Sequence, residues 1–571
     1  MTATTPPEHA TGSVAPGSGP LPGAGGPPVA VEGSTSALPK RFGRNVVMKY
    51  AAQGTSALSA IVLTPLLLHH LGKVAFGVWV LASAVVLYLE LFELGFGGAT
   101  AKLVAEDAVH RPDQAQRTIN TTFFALIPLG LAALAVGTGI AFAFPSVMHV
   151  APHLHDQVIL VVFILAAGLA VSIPGDTFGG ALMGHQRYDL LGLSNSLMVA
   201  CTFVTTIIVV ALGGGLVPLA ITMTGFGILF HFVRFAMVRH VAPGMRLSLH
   251  LIDRTRLRSV MHLSGWFMLT AVLQAIYNFS DTAVVGIVLG LRAAAVYGVA
   301  TKLSTAATQG LDSLASVFFP YASSVSRNQH RRALTEITVD GTRAAMFVGM
   351  LISLMFLVLA FPGIRIWVGG GYGTSSRVLM VLAAAIVLAS PVRVTTMVLA
   401  GSNRLPLVSV LRGAEVAVHL GVSLALAYVL GPVGVAVGTL AGVLLVRLPG
   451  NLVLGSRAVG VAPGAMVRRT IVPHLAPTAA CAAALYLLHG VAGRSVGWLL
   501  LAGVTGFAVY TFVYFALSAT AGERHRAGAA AARFLPTRWR PAWALVEPHG
   551  AAGAVDESLV VAPETVPAEW P

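Results

Sequence analysis

Apolar stretches of about 20 residues recur from Val46 to Thr520, separated by short polar connections. Each is long enough to cross a bilayer core of about 30 Å as a helix. The chain therefore reads as an all-α polytopic membrane protein with about fourteen transmembrane helices. Composition agrees: of 571 residues, 56% are hydrophobic and 10% charged, with a mean hydropathy of +0.80, whereas soluble domains carry about 25% charged residues.

The distribution of charge sets the orientation. The formal charge is +14, from 36 Lys and Arg against 22 Asp and Glu. Twenty-nine of those cations fall at the ends and loops that follow even-numbered helices, counting both terminal flanks. Five lie on the other side (Lys73, Arg292, Arg365, Arg377, Arg494) and two, Lys302 and Arg393, lie inside helices. This is the positive-inside bias, so both termini are expected in the cytoplasm and the protein in the cytoplasmic membrane. Basicity is thus explained by topology, with some contact to anionic lipid, and nucleic acid is not an expected partner. Cys201 and Cys481 both sit in apolar segments, which excludes a disulfide framework or a cysteine metal cluster.

A repeat organises the chain. "LGKVAFGVWVLAS" (71–83) lies on "LGLRAAAVYGVAT" (289–301) at an offset of 218, and "AFP" ending at Pro145 matches "AFP" ending at Pro362 at 217. "IPGDTFGGALMGHQR" (173–187) falls on "SPVRVTTMVLAGSNR" (390–404), and Leu212 on Leu430. The repeated unit holds six helices, an even number, so its copies share one orientation about an axis along the membrane normal. Residues 1–39 are expected to be a disordered cytoplasmic tail, 40–240 the first lobe with helices 1–6, and 241–259 a cytoplasmic linker. Residues 260–454 form the second lobe with helices 7–12, 455–520 helices 13 and 14, and 521–571 a largely disordered cytoplasmic tail.

Polar residues inside the spans carry the functional signal, because an ionised group there is costly unless it is paired or used. In helix 7, Trp266, Thr270, Gln274, Tyr277 and Asp281 share one face. Lys302, Thr305, Gln309, Asp312 and Ser316 do the same in helix 8. Two polar stripes on adjacent helices, with a lysine and two carboxylates, point to a hydrated cavity beyond simple interhelical hydrogen bonding. Weaker stripes follow in helix 1 (Asn45, Lys49, Gln53, Ser56) and helix 2 (Trp79, Ser83, Glu90, Glu93, Gly97). Pro65, Pro174 and Pro391 interrupt spans and free backbone carbonyls. The repeat sets Asp176 of helix 4 opposite Arg393 of helix 10, and the two are expected to face the cleft as a gate or coupling pair together with Asp281. Alternatively each finds a partner in its own lobe. The stretch "MHVAPHLHDQ" has no second ligand cluster, so no metal is expected, and no phosphate-binding glycine loop is present.

The run "LLLHHLGKVAFGVWVLASAVVLYLELFELGFGGATAKLVAE" resembles the first two helices of polysaccharide exporters and O-antigen-type flippases. Glu93, Leu94, Gly95 and Lys102 fit that family's acidic residue before Leu-Gly with a basic residue downstream. "SDTAVVGIVLGLRAAAVYGVATKLS" is similar to the second-lobe signature through Asp281, Gly290, Tyr297 and Lys302, and "IRIWVGGGYGTSSRVLMVLAAAI" to the segment after helix nine. The resemblance implies the multidrug/oligosaccharidyl-lipid/polysaccharide exporter superfamily and alternating access between two lobes. It implies a transporter, not an enzyme, that flips an undecaprenyl-diphosphate-linked oligosaccharide, with polysaccharide assembly enzymes as partners. A diphosphate needs cations in a low-dielectric cavity, and Lys302 and Arg393 lie within spans; Gln274, Tyr277, Asp281, Gln309, Asp312, Glu90 and Glu93 complete the expected binding surface. The surplus of carboxylates supports a multidrug or organic-cation antiporter as the alternative, ahead of a membrane glycosyltransferase or polymerase. No cofactor is expected, and the residues do not choose between H+ and Na+ as coupling ion.

Overall fold

The computed structural model describes residues 40–93, 95–108, 111–316, 318, 331–401 and 404–534, and the described residues from Asn45 on form one compact unit. Apart from short turns, those residues are helical. The first half of the chain contributes α1 (Lys40–Leu89), α2 (Phe96–Asp107), α3 (Pro112–Val147), α4 (His155–Gly184), α5 (Tyr188–Ala211) and α6 (Leu216–Val241). The second contributes α7 (Arg254–Leu289), α8 (Leu291–Ser316), α9 (Arg331–Val368), α10 (Gly373–Gly401), α11 (Leu405–Leu430) and α12 (Pro432–Gly442), which continues through two π-helical turns to Ala458. After them come α13 (Pro463–Thr470), α14 (Leu475–Ala492), α15 (Val496–Val513) and α16 (Ala521–Phe534).

The repeat is written in the backbone. α1 runs on through Gly72, whose φ of 73° and ψ of 170° break the helix, and α7 passes to α8 through Gly290 at φ 85° and ψ 177°. These glycines are 218 residues apart, as are Gly213 (φ 77°) and Gly431 (φ 60°) at the ends of α5 and α11. A side chain at any of the four would strain the turn, which is why glycine stands in both copies.

Among the described residues, eleven helices are long and apolar enough to span a membrane, or twelve when the bent pair within α7 counts as one. The expectation was about fourteen. Two elements account for the difference. Gly54–Glu93 counts once, although its 40 residues extend about 60 Å at 1.5 Å per residue and break at Gly72. α8 lacks the apolarity required because Lys302, Gln309 and Asp312 lie along it.

The two halves pack on each other near Gly72. A Cβ on Gly77 would stand 2.2 Å from the Leu291 carbonyl oxygen, and one on Gly286 2.5 Å from Leu81, so glycine is what lets these helices touch. The Trp367 indole donates to the Ile61 carbonyl at 2.7 Å, and the Lys73 ammonium lies 4.6 Å from the centre of the Tyr372 ring. A continuous apolar core joins Phe76, Val78 and Leu81 to Val285, Leu291, Tyr297 and Ile364.

Residues 241–259, expected as a linker between lobes, are tied to the first-lobe helices. Asn120, fully buried, donates to the Arg246 carbonyl and accepts from the Ser248 N–H. The Asp253 N–H donates to Thr121, and Arg256 in the first turn of α7 meets Asp107 at 2.7 Å. Within the tail expected at 521–571, α16 is helical to Phe534, and the remainder of that tail, like residues 1–39, lies outside the described residues. Its Glu523 forms a fork with Arg343 of α9 at 2.8 and 2.9 Å. Arg343 also donates to the Arg469 and Ser518 carbonyls, binding the start of the α13–α14 pair and the end of α15 to α9.

Candidate functional site

Two cavities flank α1, and Ser56 and Ala60 line both. The first, of about 520 Å3, lies within the first lobe and takes its polar lining from Glu90, Glu93, Asp176, His231 and Arg234. A short 3-10 turn, Glu90–Glu93, followed by Gly95 in a left-handed conformation (φ 71°), ends the long helix there. The Gly97 N–H then donates to Glu93 at 3.2 Å, which sets a carboxylate at the positive end of α2. Asp176 sits two residues after Pro174. Arg234 donates to it at 3.4 Å, His231 lies 3.9 Å away, and Arg234 is held in turn by Asn195 at 2.8 Å.

The second cavity, of about 460 Å3, lies between the lobes. Ser56, Trp79 and Ser83 of α1 form one wall; Gln274, Tyr277 and Asp281 of α7 and Lys302, Thr305, Gln309 and Asp312 of α8 form the other, closed by Arg393, Arg412, Thr439 and Arg447. Both stripes legible in the sequence thus open on a single space. Ser316 does not reach it and bonds the Ser313 carbonyl instead. The side chains of Trp266, Thr270, Asn45, Lys49 and Gln53 lie outside the described residues.

Four cations and two carboxylates line this second space. Arg393, 3% exposed, is ion-paired with Asp312. Asp281 is enclosed: the Tyr297 hydroxyl donates to it at 2.6 Å, the Thr439 hydroxyl at 2.7 Å, and His419 Nε2 stands 2.8 Å away. Glu415, 1% exposed, is the shared counterion of Arg412 at 2.9 Å and Arg447 at 3.8 Å. Arg447 ends a π-helical turn, Val443–Arg447, a local widening often found beside functional sites. Lys302 differs from all of these. It is exposed to the cavity, and among the described residues it has neither an ion pair nor a hydrogen bond.

The expected Asp176–Arg393 pair is not formed in this conformation. Each charge answers within its own lobe, Asp176 to Arg234 and Arg393 to Asp312. The reason is local: a neighbouring helix offers each charge a partner of opposite sign, Arg234 on α6 and Asp312 on α8, and charges within spans pair with one another. Neither Asp281 nor Asp312 holds Lys302. Sequence reasoning missed Arg234, His419 and Arg447 as lining or supporting groups, and left Arg412 and Glu415, near cytoplasmic helix ends, undecided between packing and gating. A signal was available, since Arg412, Glu415, His419 and Ser423 follow at steps of three, four and four on one face of α11.

The profile of the family "Polysaccharide biosynthesis protein" matches residues 42–326. The fold is similar to that of a multidrug resistance MATE family transporter of the MOP superfamily in its inward-facing conformation. That match has 16% identity and a TM-score of 0.62, over 75% of this chain and 98% of the other. It is equally similar to the lipid II flippase MurJ in an inward closed conformation, at 11% identity and a TM-score of 0.62, over 82% of this chain and 99% of the other. An outward-facing MATE transporter gives a TM-score of 0.57 at 16% identity, over 75% and 96%. Comparison with curated protein sequences gives no match. The profile covers the first lobe, the break at Gly72 and both polar helices of the second lobe, and on that ground, with the fold in agreement, this chain is a membrane protein of the polysaccharide biosynthesis family.

Proposed function

We propose that the protein moves a lipid-linked oligosaccharide of the undecaprenyl-diphosphate type across the cytoplasmic membrane by alternating access, with its termini in the cytoplasm. The observation that carries this reading is Lys302, an ammonium without a counterion among the described residues, in a cavity whose other three lining cations are Arg393, Arg412 and Arg447. A charge so placed is costly when nothing pairs with it. A diphosphate supplies that pairing through charge-assisted hydrogen bonds, with Arg forks and a Lys point charge as complementary donors. Tyr277 and Trp79 in the same walls offer flat apolar surface to sugar rings or the first isoprene units. Among the proteins of similar fold, the lipid II flippase MurJ agrees with this reading. Polysaccharide assembly enzymes are its expected partners.

One observation favours a second reading. The first-lobe cavity holds Glu90, Glu93 and Asp176 against a single Arg234, a charge pattern suited to an organic cation exchanged against H+ or Na+. Reconstituted vesicles separate the two. Wild-type protein should move an undecaprenyl-diphosphate-linked oligosaccharide to the trans leaflet, and Lys302→Ala should lower that rate at least tenfold at equal protein content. Translocation of organic cations with no movement of the glycolipid would establish the second reading instead.

A further inference from the structure

α7 is held at its two ends by different halves of the molecule. Its first turns are fixed to α2 and α3 through Arg256, which reaches Asp107 and Gln114, and through Val260, buried in the core around Leu89 and Phe96. Its far part is fixed to the second lobe through Asp281, which contacts Tyr297, Ser423, Thr439 and His419. Between them the helix bends by 45° at a break between Asn278 and Ser280. α7 thus bridges the two lobes across this break, beside the second cavity.

One hydrogen-bonded chain runs from the cavity wall to the break. The Arg412 guanidinium donates to Gln274 Oε1 at 2.6 Å, and the Gln274 amide donates to Asn278 Oδ1 at 2.8 Å. Arg412 also lies over the Tyr277 ring, 4.6 Å from its centre. Buried Glu415 holds the same guanidinium at 2.9 Å from α11. Arg412 thus pins the residues before the break to α11 with groups that an anion entering the cavity would displace.

We infer that Arg412 is a substrate-sensing clasp: a phosphoryl oxygen that takes its guanidinium releases Gln274 and frees α7 to change its bend. This rests on the anionic-substrate reading above. A neutral amide is a weaker partner for a guanidinium than a phosphate, so the exchange runs toward the ligand. Because Gln274 competes for Arg412, removing it relieves the ligand of that competition, and apparent affinity rises.

The test uses the full chain in nanodiscs with undecaprenyl diphosphate as the probe, reading affinity and the distance between spin labels at Met261 and Val410. Both positions are exposed, at 58% and 69%, and Cys201→Ser with Cys481→Ala gives the background. Gln274→Ala should bind the probe about three- to tenfold more tightly than its parent and should adopt, without ligand, the label distance that the parent shows only with ligand. Arg412→Gln should show that same distance with or without probe. Weaker or unchanged binding by Gln274→Ala, or a parent that binds the probe without any change in distance, overturns the clasp and leaves the anionic-substrate reading standing. Absence of probe binding by the parent overturns both.

Discussion

Single residues in this molecule are best understood by asking which charge each one answers to. Asp176 and Arg393 occupy equivalent places in the repeat, yet Arg234 satisfies the first and Asp312 the second. A charge swap, Asp176→Arg with Arg393→Asp, should therefore give a double variant no more active than the worse single variant. Recovery of transport in the double variant would show a direct pairing in another state of the cycle. Asp312 and Arg393 should behave in the opposite way. Removing Asp312 strands an arginine that is 3% exposed, while the aspartate itself is about half exposed to the cavity. The loss should be about 1–3 kcal/mol, below the 3–5 typical of fully buried pairs. Denaturation in detergent should place Asp312→Ala below the double variant Asp312→Ala with Arg393→Met, since the latter leaves no unpaired charge.

At the scale of elements, what was legible depended on periodicity. The stripes on α7 and α8 stand out because a polar residue every three or four positions contrasts with an apolar background, and both reach the cavity. The stripe Arg412, Glu415, His419, Ser423 on α11 obeys the same rule. It was hidden because a cation near a helix end reads equally well as an interfacial flank. The linkage of residues 241–259 to the first lobe was not legible, since it depends on Asn120, Thr121 and Asp107 meeting segments more than 120 residues away.

Cap chemistry at the element ends gives two predictions. Asp253 caps α7, accepting from the Thr255 and Arg256 N–H groups at 2.8 and 3.3 Å, and these backbone bonds hold its carboxyl below the ordinary range. Asp253→Ala should destabilise by about 0.5–1 kcal/mol, the lower part of the N-cap range, because the site is exposed. Circular dichroism melts in detergent would read this. Glu523 is half-buried, which pushes its carboxyl up, but the Arg343 fork, the Thr520 N–H and the Tyr514 hydroxyl outweigh burial and hold it below the usual value. A depressed carboxylate stabilises above its unfolded value of about 4.3 and loses that contribution as pH falls through the lower folded value. Hydrogen-exchange protection in α16, corrected for the intrinsic pH dependence of amide exchange, should thus stay flat from pH 8 to 5 and fall below about pH 4. Glu523→Gln should show low protection there already at pH 7; unchanged protection would remove the clamp.

At the scale of the whole molecule, the two six-helix units keep their turns and differ in their charges. Gly72 with Gly290, and Gly213 with Gly431, preserve one geometry at one spacing. Asp176 and Arg393, by contrast, share a position and carry opposite charge. The first lobe encloses an acidic cavity, and the space between the lobes is lined by more cations than carboxylates. That asymmetry argues for a substrate held mainly by the second lobe through its anionic group. The most direct measurement is leaflet-resolved analysis of lipid-linked glycans in cells lacking this protein. Lipid-linked oligosaccharide should accumulate on the cytoplasmic leaflet and be cleared by the wild-type chain but not by Lys302→Ala. An unchanged leaflet distribution, or full clearance by Lys302→Ala, would contradict the account.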